Sequence, residues 1–277
     1  MWHIVADSSC DLFQLPERDE GIDFSDVPFT IHIDDVEYFD DDRLSVDQML
    51  TANEGASAPA HTACPSPDAW LGPFSAPGPV VAFTISSALS GSYNSACVAR
   101  DMLLEQQPDK PIAIVDTKST GPETVMLIKR AIQLIRQGTT PAELGSLLSE
   151  EAERIHIAFA LSSFHNLIKA GRVNRLIGFI AGHLGFWGIG AGDEKGEINI
   201  RGKARGMHGM IRFMLEEIKK TGLAGKHVVI CHCQNEKGAS LLKESLCEAF
   251  RNITVDILPT RGLDSYYAER HGLIVAY

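Results

Sequence analysis

Apolar residues recur along this chain in two periods, and the changes of period mark its elements. Short apolar runs that stop at polar turns predict buried strands. They are Trp2–Ala6 before Asp7-Ser8-Ser9, Pro28–Ile33, Pro79–Ile85 before Ser86-Ser87, and Pro111–Val115 before Asp116. Between them the spacing turns helical. One helix is predicted from about Tyr93 to Glu105, another where Val125, Ile128, Ile132 and Ile135 recur. Thr140-Pro141-Ala142-Glu143 reads as a capping box with Pro at the first helical position, opening a helix to about Arg154. Residues 53–79, rich in Ala, Ser, Pro and Gly, read as loop with one helical turn around Pro67–Leu71. This alternation predicts right-handed crossovers and a parallel sheet. Such sheets bind ligands beyond the carboxyl ends of their strands, where Asp7–Cys10 and Ser86–Ser92 fall.

The second half reads differently. A strand is predicted at Ile155–Leu161, a short helix at Ser163–Ala170, a break at Gly171-Arg172-Val173 and a helix at Asn174–His183. Residues 184–205 read as a glycine-rich hairpin turning at Asp193–Gly196. A helix at Met207–Lys220 is followed by strand 226–232, helix 236–250, strand 253–257 and strand 273–277. That order predicts a second α/β domain with a partly antiparallel sheet. The expected division is an N-terminal parallel α/β domain at 1–155 and a C-terminal mixed α/β domain at 156–277.

Composition narrows the function classes. With 277 residues, 44% of them hydrophobic, the chain can bury a sizeable core. A formal charge of −11 argues against nucleic acid, whose phosphates reward a basic face. No apolar run reaches the ~18–20 residues of a membrane span, and the start lacks a signal-like segment, so a cytoplasmic location is expected. The charge is uneven: residues 1–68 hold 16 acids and two bases, a net of −14. Around Tyr38-Phe39 these acids read as a solvated hairpin. Six scattered cysteines read as reduced thiols. In Cys231-His232-Cys233, strand alternation puts the two sulfurs on one face and the imidazole on the other, so no metal is expected there.

Three features carry candidate chemistry. Ser86, Ser87, Ser90, Ser92 and Ser95 cluster around Gly91 between a strand and a helix. One hydroxyl suffices to cap a helix; a group of them at a helix N-terminus also suits a carboxylate or phosphate. Thr62 stands in Thr62-Ala63-Cys64-Pro65-Ser66-Pro67, a loop stiffened by two prolines. Seven bases lie between Lys169 and Arg205, and Arg172 follows Gly171 at a helix break, where backbone and guanidinium can both approach a ligand. Gly188-Ile189-Gly190-Ala191-Gly192 is followed by a turn rather than a helix, so it reads as hairpin and not as a dinucleotide site. The serine cluster leaves a serine-dependent acyl or phosphoryl hydrolase or transferase as an alternative.

These residues together resemble the DegV family of bacterial fatty-acid-binding proteins. The likeness runs through Ile4–Leu12, Thr62–Ser66, Ile85–Ala96, Val115–Ser119 and Leu167–Val173, in order along nearly the whole chain. It departs from the family pattern at Ala63, Ser92, Ala170 and Trp187-Gly188, and the C-terminal segment lacks the Gly-Pro-Gly run.

The resemblance implies a two-domain α/β fold with a long acyl chain buried inside, its carboxylate held by Thr62 and Ser90. Gly91, Ser86, Ser92 and Arg172 are candidates beside them, and His271 is the candidate for the family's C-terminal histidine. The implied ligand is palmitate, stearate or oleate, with no other cofactor. The implied role is a carrier rather than an enzyme, handing its ligand to a separate fatty-acid kinase for acyl-phosphate formation and phospholipid synthesis; a lipid sensor that then binds a protein is a further reading. A fourteen-methylene palmitoyl tail offers roughly 11 kcal/mol on burial before entropy costs, so the head group need only orient it. Phe164, Leu167, Ile168, Leu176, Ile177, Phe179, Ile180, Leu184, Phe186 and Trp187 are expected to line the tunnel or to serve as ordinary core.

Overall fold

Buried apolar runs and half-buried alternating ones assemble into three sheets. A computed structural model of the protein describes residues 1–173 and 185–277. The first half runs β1 (Trp2–Asp7), β2 (Ile22–Val27), β3 (Thr30–Ile33), β4 (Val36–Phe39), α1 (Val46–Glu54), β5 (His61–Ala63) and α2 (Pro67–Phe74). It continues with β6 (Val80–Thr84), α3 (Ser92–Gln106), β7 (Ile112–Asp116), α4 (Pro122–Arg136) and α5 (Pro141–Ala152). The second half runs β8 (Ile157–Leu161), α6 (His165–Lys169), β9 (Phe186–Gly192), β10 (Ile198–Arg205) and α7 (Gly206–Thr221). It ends with β11 (His227–His232), α8 (Glu236–Ala249), β12 (Thr254–Pro259), α9 (Gly262–Ala268) and β13 (Leu273–Ala276). The helix expected at Asn174–His183 lies outside the described residues, as do the tunnel candidates Leu176, Ile177, Phe179, Ile180 and Leu184.

The first sheet has the order β2-β1-β6-β7 and is parallel throughout. Its central strands β1 and β6 are buried on both faces, as their unbroken apolar runs require. Trp70, Phe74, Ala96 and Ala99 of α2 and α3 cover one face, against Val5, Val80 and Ala82. Leu127, Ile128, Leu144 and Leu148 of α4 and α5 cover the other, against Ile4, Val81 and Phe83. Val229, Cys231 and Ala276 join that second core, so it also spans the larger sheet.

The larger sheet has the order β10-β9-β8-β13-β11-β12 and is mixed: β11 and β12 are parallel, every other pair antiparallel. One face packs Ala158, Ile189, Ile230 and Val275 under Met210, Met214, Leu242 and Leu246 of α7 and α8. The opposite face carries Phe159, Leu161 and Ile274 beneath α1, α9 and a small antiparallel sheet, β4-β3-β5. The α/β class, the parallel first sheet and the mixed second sheet are as expected.

Several elements differ from expectation. Residues 46–54 form α1, where no element was expected; 61–63 form β5 and 67–74 a full α2, where loop with one turn was expected. The signal for α1 was present: Ser45 accepts a hydrogen bond from Gln48 N–H, and Met49 and Leu50 are its buried residues. Strand β2 is an edge strand of mostly polar residues, Ile22-Asp23-Phe24-Ser25-Asp26-Val27, and carries little apolar pattern. Helix α9 has seven residues, and its first N–H groups are capped by Asp40, whose carboxylate accepts from Gly262 N–H (2.7 Å) and Leu263 N–H (2.9 Å). A cap 222 residues away in sequence leaves no local trace.

Candidate functional site

The site begins with the carboxyl ends of the parallel strands. Asp7, the last residue of β1, is fully buried. Its carboxylate accepts from Ser9 Oγ (2.5 Å), Ile85 N–H (3.0 Å) and Ser92 Oγ (2.6 Å). Burial pushes its pKa up, and these hydrogen bonds oppose the rise. The Asp-Ser-Ser turn therefore acts as a clamp beneath the loop after β6 and does not reach the ligand space.

The serine cluster is sorted by its partners. Ser86 Oγ donates to the Gly196 carbonyl (2.9 Å), Ser87 Oγ to Asp116 (2.5 Å), and Ser92 Oγ to Asp7. Ser90 Oγ accepts from Ser92 N–H (3.3 Å), which leaves its own proton available. Gly91 sits at the N-cap of α3 and brings no side chain, so an anion can approach this helix end closely.

Opposite Ser90 stands β5. Alternation turns Thr62 away from His61, whose ring stacks on His32 at 4.6 Å. Thr62 Oγ1 meets Tyr267 Oη of α9 at 2.8 Å. One hydroxyl proton is spent in that bond and the other is left to donate.

These groups face one cavity of about 370 Å³, within the usual size range of ligand pockets. Thr62, Ser90, Gly91 and Arg172 all line it. Ser86 and Ser92 do not: both are fully buried and held by Gly196 and Asp7. His271 does not either. It is exposed in a left-handed turn (φ 73°), where its N–H donates to the Cys233 carbonyl and its own carbonyl accepts from Asn235.

Of the expected tunnel residues within the described chain, Leu167 lines the cavity. Phe164 is buried with its ring 6.2 Å from Phe159, Ile168 is exposed, and Trp187 packs in the core on the other side of the sheet. Phe186 lies under the cationic ends of Lys203 and Arg205. The apolar walls come instead from alternate strand positions, Ile157, Phe159, Leu161, Ile198 and Ile274, with Phe29, Ile85 and Leu263 at the near end. A two-residue period was the signal that finds them.

Polar wall residues also went unforeseen. Lys118 lines the cavity, but its ammonium reaches Glu153 at 3.5 Å. Among the described residues Arg172, which also lines the cavity, makes no ion pair. Asp264 of α9 lines the cavity too and is buried against Asp11. Asp264 accepts from Thr120 Oγ1 (2.6 Å), Asp11 from Arg261 N–H (2.6 Å). Their remaining oxygens crowd above Gly121, each within 2.7 Å of where a Cβ would stand. Neither of these oxygens has a hydrogen-bond partner, although the Cys231 thiol lies beside Asp11, and a proton shared between the two carboxyls would supply one. Burial pushes Asp11 up to about 7; burial and the Asp11 charge raise Asp264 well above the carboxylate range. Glu123, in the first turn of α4, is buried beside Ser119 and is likewise raised by burial.

Comparison with known proteins places this architecture. A family model described as an uncharacterised protein, DegV family, matches residues 1–264. A DegV domain-containing protein of Streptococcus pneumoniae is 37% identical over 276 residues, covering 100% of this chain and 98% of the relative. Two solved structures superpose closely. The fatty acid kinase B3 protein of Streptococcus pneumoniae, loaded with linoleic acid, gives a TM-score of 0.95 at 36% identity, covering 100% of this chain and 98% of the other. A DegV family protein from Eubacterium eligens, loaded with heptadecanoic acid, gives 0.93 at 33% identity, covering 100% and 99%.

Proposed function

The chain belongs to the DegV family, and we propose that it is a long-chain fatty-acid-binding protein that presents its ligand to a separate fatty-acid kinase. The observation that carries this reading is the asymmetry of the cavity. Its walls over the mixed sheet are apolar, while the hydroxyls of Thr62 and Ser90 and the helix end at Gly91 come from the first-half loops, and Arg172 lines the same cavity. Relatives of at least 33% identity hold linoleic and heptadecanoic acid in the same fold.

In this reading the carboxylate accepts from Ser90 Oγ and from the free proton of the Thr62–Tyr267 pair. The backbone around Gly91 and the Arg172 guanidinium add positive potential. The tail runs over the mixed sheet, where each buried methylene adds about 0.8 kcal/mol. Palmitate, stearate or oleate fits this chemistry. The chain itself performs no bond-making; the kinase, a separate protein, forms the acyl phosphate that enters phospholipid synthesis. We place the domain boundary near residue 155, since strands of the parallel sheet end at Asp116 and those of the mixed sheet begin at Ile157. The ligand then lies between the two units. No described helix is long and apolar enough to cross a membrane, and we assign the protein to the cytoplasm.

A serine-dependent hydrolase needs a base at its nucleophile. Among the described residues, the side chains of Ser86, Ser87 and Ser92 donate to a carbonyl or to carboxylates, and Ser90 is paired only with a backbone N–H.

Lipid extraction and mass spectrometry of protein purified from bacteria is the direct test, and it is expected to find a long-chain fatty acid at near one per chain. Ser90→Ala with Thr62→Ala should weaken binding of added palmitate at least tenfold, because a buried carboxylate loses the Ser90 donor, worth about 1.5–3 kcal/mol, and the hydroxyl pair that orients the second. No lipid in the preparation and no binding of palmitate or oleate would reject the reading. Labelling of Ser90 by a fluorophosphonate would favour the hydrolase instead.

A further inference from the structure

The glycine-rich run of β9 takes no part in the head-group site, yet it shapes the cavity. Ile189 and Trp187 point into the core under α7 and α8. Gly190 and Gly192 therefore face the other way, toward the cavity, which Gly192 lines. Gly190 lies opposite Phe159 of β8 in register. A Cβ at 190 would fall on the Phe159 ring, 2.6 Å from Cε2, and 2.8 Å from the Asn199 carbonyl oxygen. A Cβ at 192 would stand 2.7 Å from Ile157 Cγ2 and meet nothing else. Both Phe159 and Ile157 line the cavity. They lie down into space that the missing side chains leave, and the cavity keeps the volume that upright side chains would fill.

The order along the sheet is set by the hairpin tip. The Gly196 carbonyl accepts from Ser86 Oγ, four residues from Ser90. Gly192 and Ile157 are thus nearer the first-half loops, and Gly190 and Phe159 lie deeper. Phe164 stands behind Phe159, ring to ring at 6.2 Å.

We propose that Phe159 and Ile157, laid against Gly190 and Gly192, set the length of acyl chain that the cavity accepts. This rests on the acyl-binding reading above. Every methylene denied its place weakens binding about fourfold. Removing the Phe159 ring lengthens the channel. Adding a methyl at Gly192 raises Ile157 and shortens the usable space.

The test is displacement of a fluorescent acyl probe by saturated fatty acids of twelve to twenty carbons, on the wild type, Phe159→Ala and Gly192→Ala. Circular dichroism checks each fold, and Phe159→Leu, closer in volume, serves if Phe159→Ala does not fold. Phe159→Ala is expected to move the best-bound chain up by two or more carbons. Gly192→Ala is expected to move it down, with at least tenfold weaker binding of the longest chains. A wild type that binds fatty acids, with both variants keeping its length profile, overturns the proposal and leaves the acyl-binding reading standing. A wild type that binds none overturns both.

Discussion

At the scale of single residues the chemistry divides into groups whose protons are committed and groups whose protons are free. Ser86 and Ser92 spend theirs on Gly196 and Asp7, while Ser90 keeps its own. The sequence shows five hydroxyls between a strand and a helix, but not this division, because it depends on Asp7 and Gly196, which are distant in the chain. Gly91 and Arg172 were singled out from the residues themselves and Thr62 and Ser90 from the family resemblance, and all four line the cavity; Tyr267 and Asp264 were not foreseen, since α9 has no local signature. The Asp11–Asp264 pair has a measurable consequence. Both carboxyls are raised in the folded state above the ordinary value of 3.8, so the fold holds a proton that the unfolded chain has released. The stability this pair contributes is fully present below about pH 4 and is lost as pH rises through about 7. Asp264→Asn keeps a donor toward Asp11 without a titrating proton. Urea midpoints between pH 5 and 8 should fall in the wild type and fall less in Asp264→Asn. Equal slopes in the two proteins would show that no proton is shared there.

At the scale of elements, runs with one clear period were readable and short or edge elements were not. The buried strands β1, β6, β7 and β8 and the amphipathic helices α4, α5, α7 and α8 came close to their expected bounds. The edge strand β2 and the seven-residue α9 are held by partners far along the chain. The β9–β10 hairpin was legible from its glycines and the Asp193–Gly196 turn, where Asp193 accepts from Lys195 and Glu197 N–H. What sequence pattern does not show is that this turn docks on the first half. Gly196 has φ 78°, and a Cβ there would strike Ser86 Oγ and come within 2.9 Å of the Lys118 carbonyl. Gly138, after α4, has φ 83° with open space around it. Gly138→Ala therefore isolates backbone strain, about 1–3 kcal/mol. Gly196→Ala should cost more than that and also weaken fatty-acid binding, while Gly138→Ala leaves binding unchanged. Thermal melts with palmitate titrations on the two variants check this. Equal losses in both would mean that the docked tip adds nothing.

At the scale of the whole molecule, six of the sixteen acids in residues 1–68 pair with arginines later in the chain. Arg136 takes Glu17 and Asp19, Arg261 takes Asp26 and Asp40, and Arg270 takes Asp47 and Glu54. Four of them, Asp26, Asp40, Asp47 and Glu54, join the halves. The two arginines of the second half do this in different surroundings. Arg270 is part-exposed, in a fan that also reaches Thr51 and Gln234. Arg261 is 2% exposed, donating to the carbonyls of Leu12 and Asp40 and lying 4.0 Å over the Phe13 ring. Ions screen charges in water and hardly reach buried ones. Arg270→Ala should thus give a small loss of stability that disappears in molar salt. Arg261→Ala leaves Asp40 buried without its cation, should cost about 3–5 kcal/mol, and should keep that cost in salt. Urea midpoints of both variants at low and high sodium chloride decide the matter. If the Arg261→Ala loss fades with salt as the Arg270→Ala loss does, the joint between the halves is open to water rather than sealed.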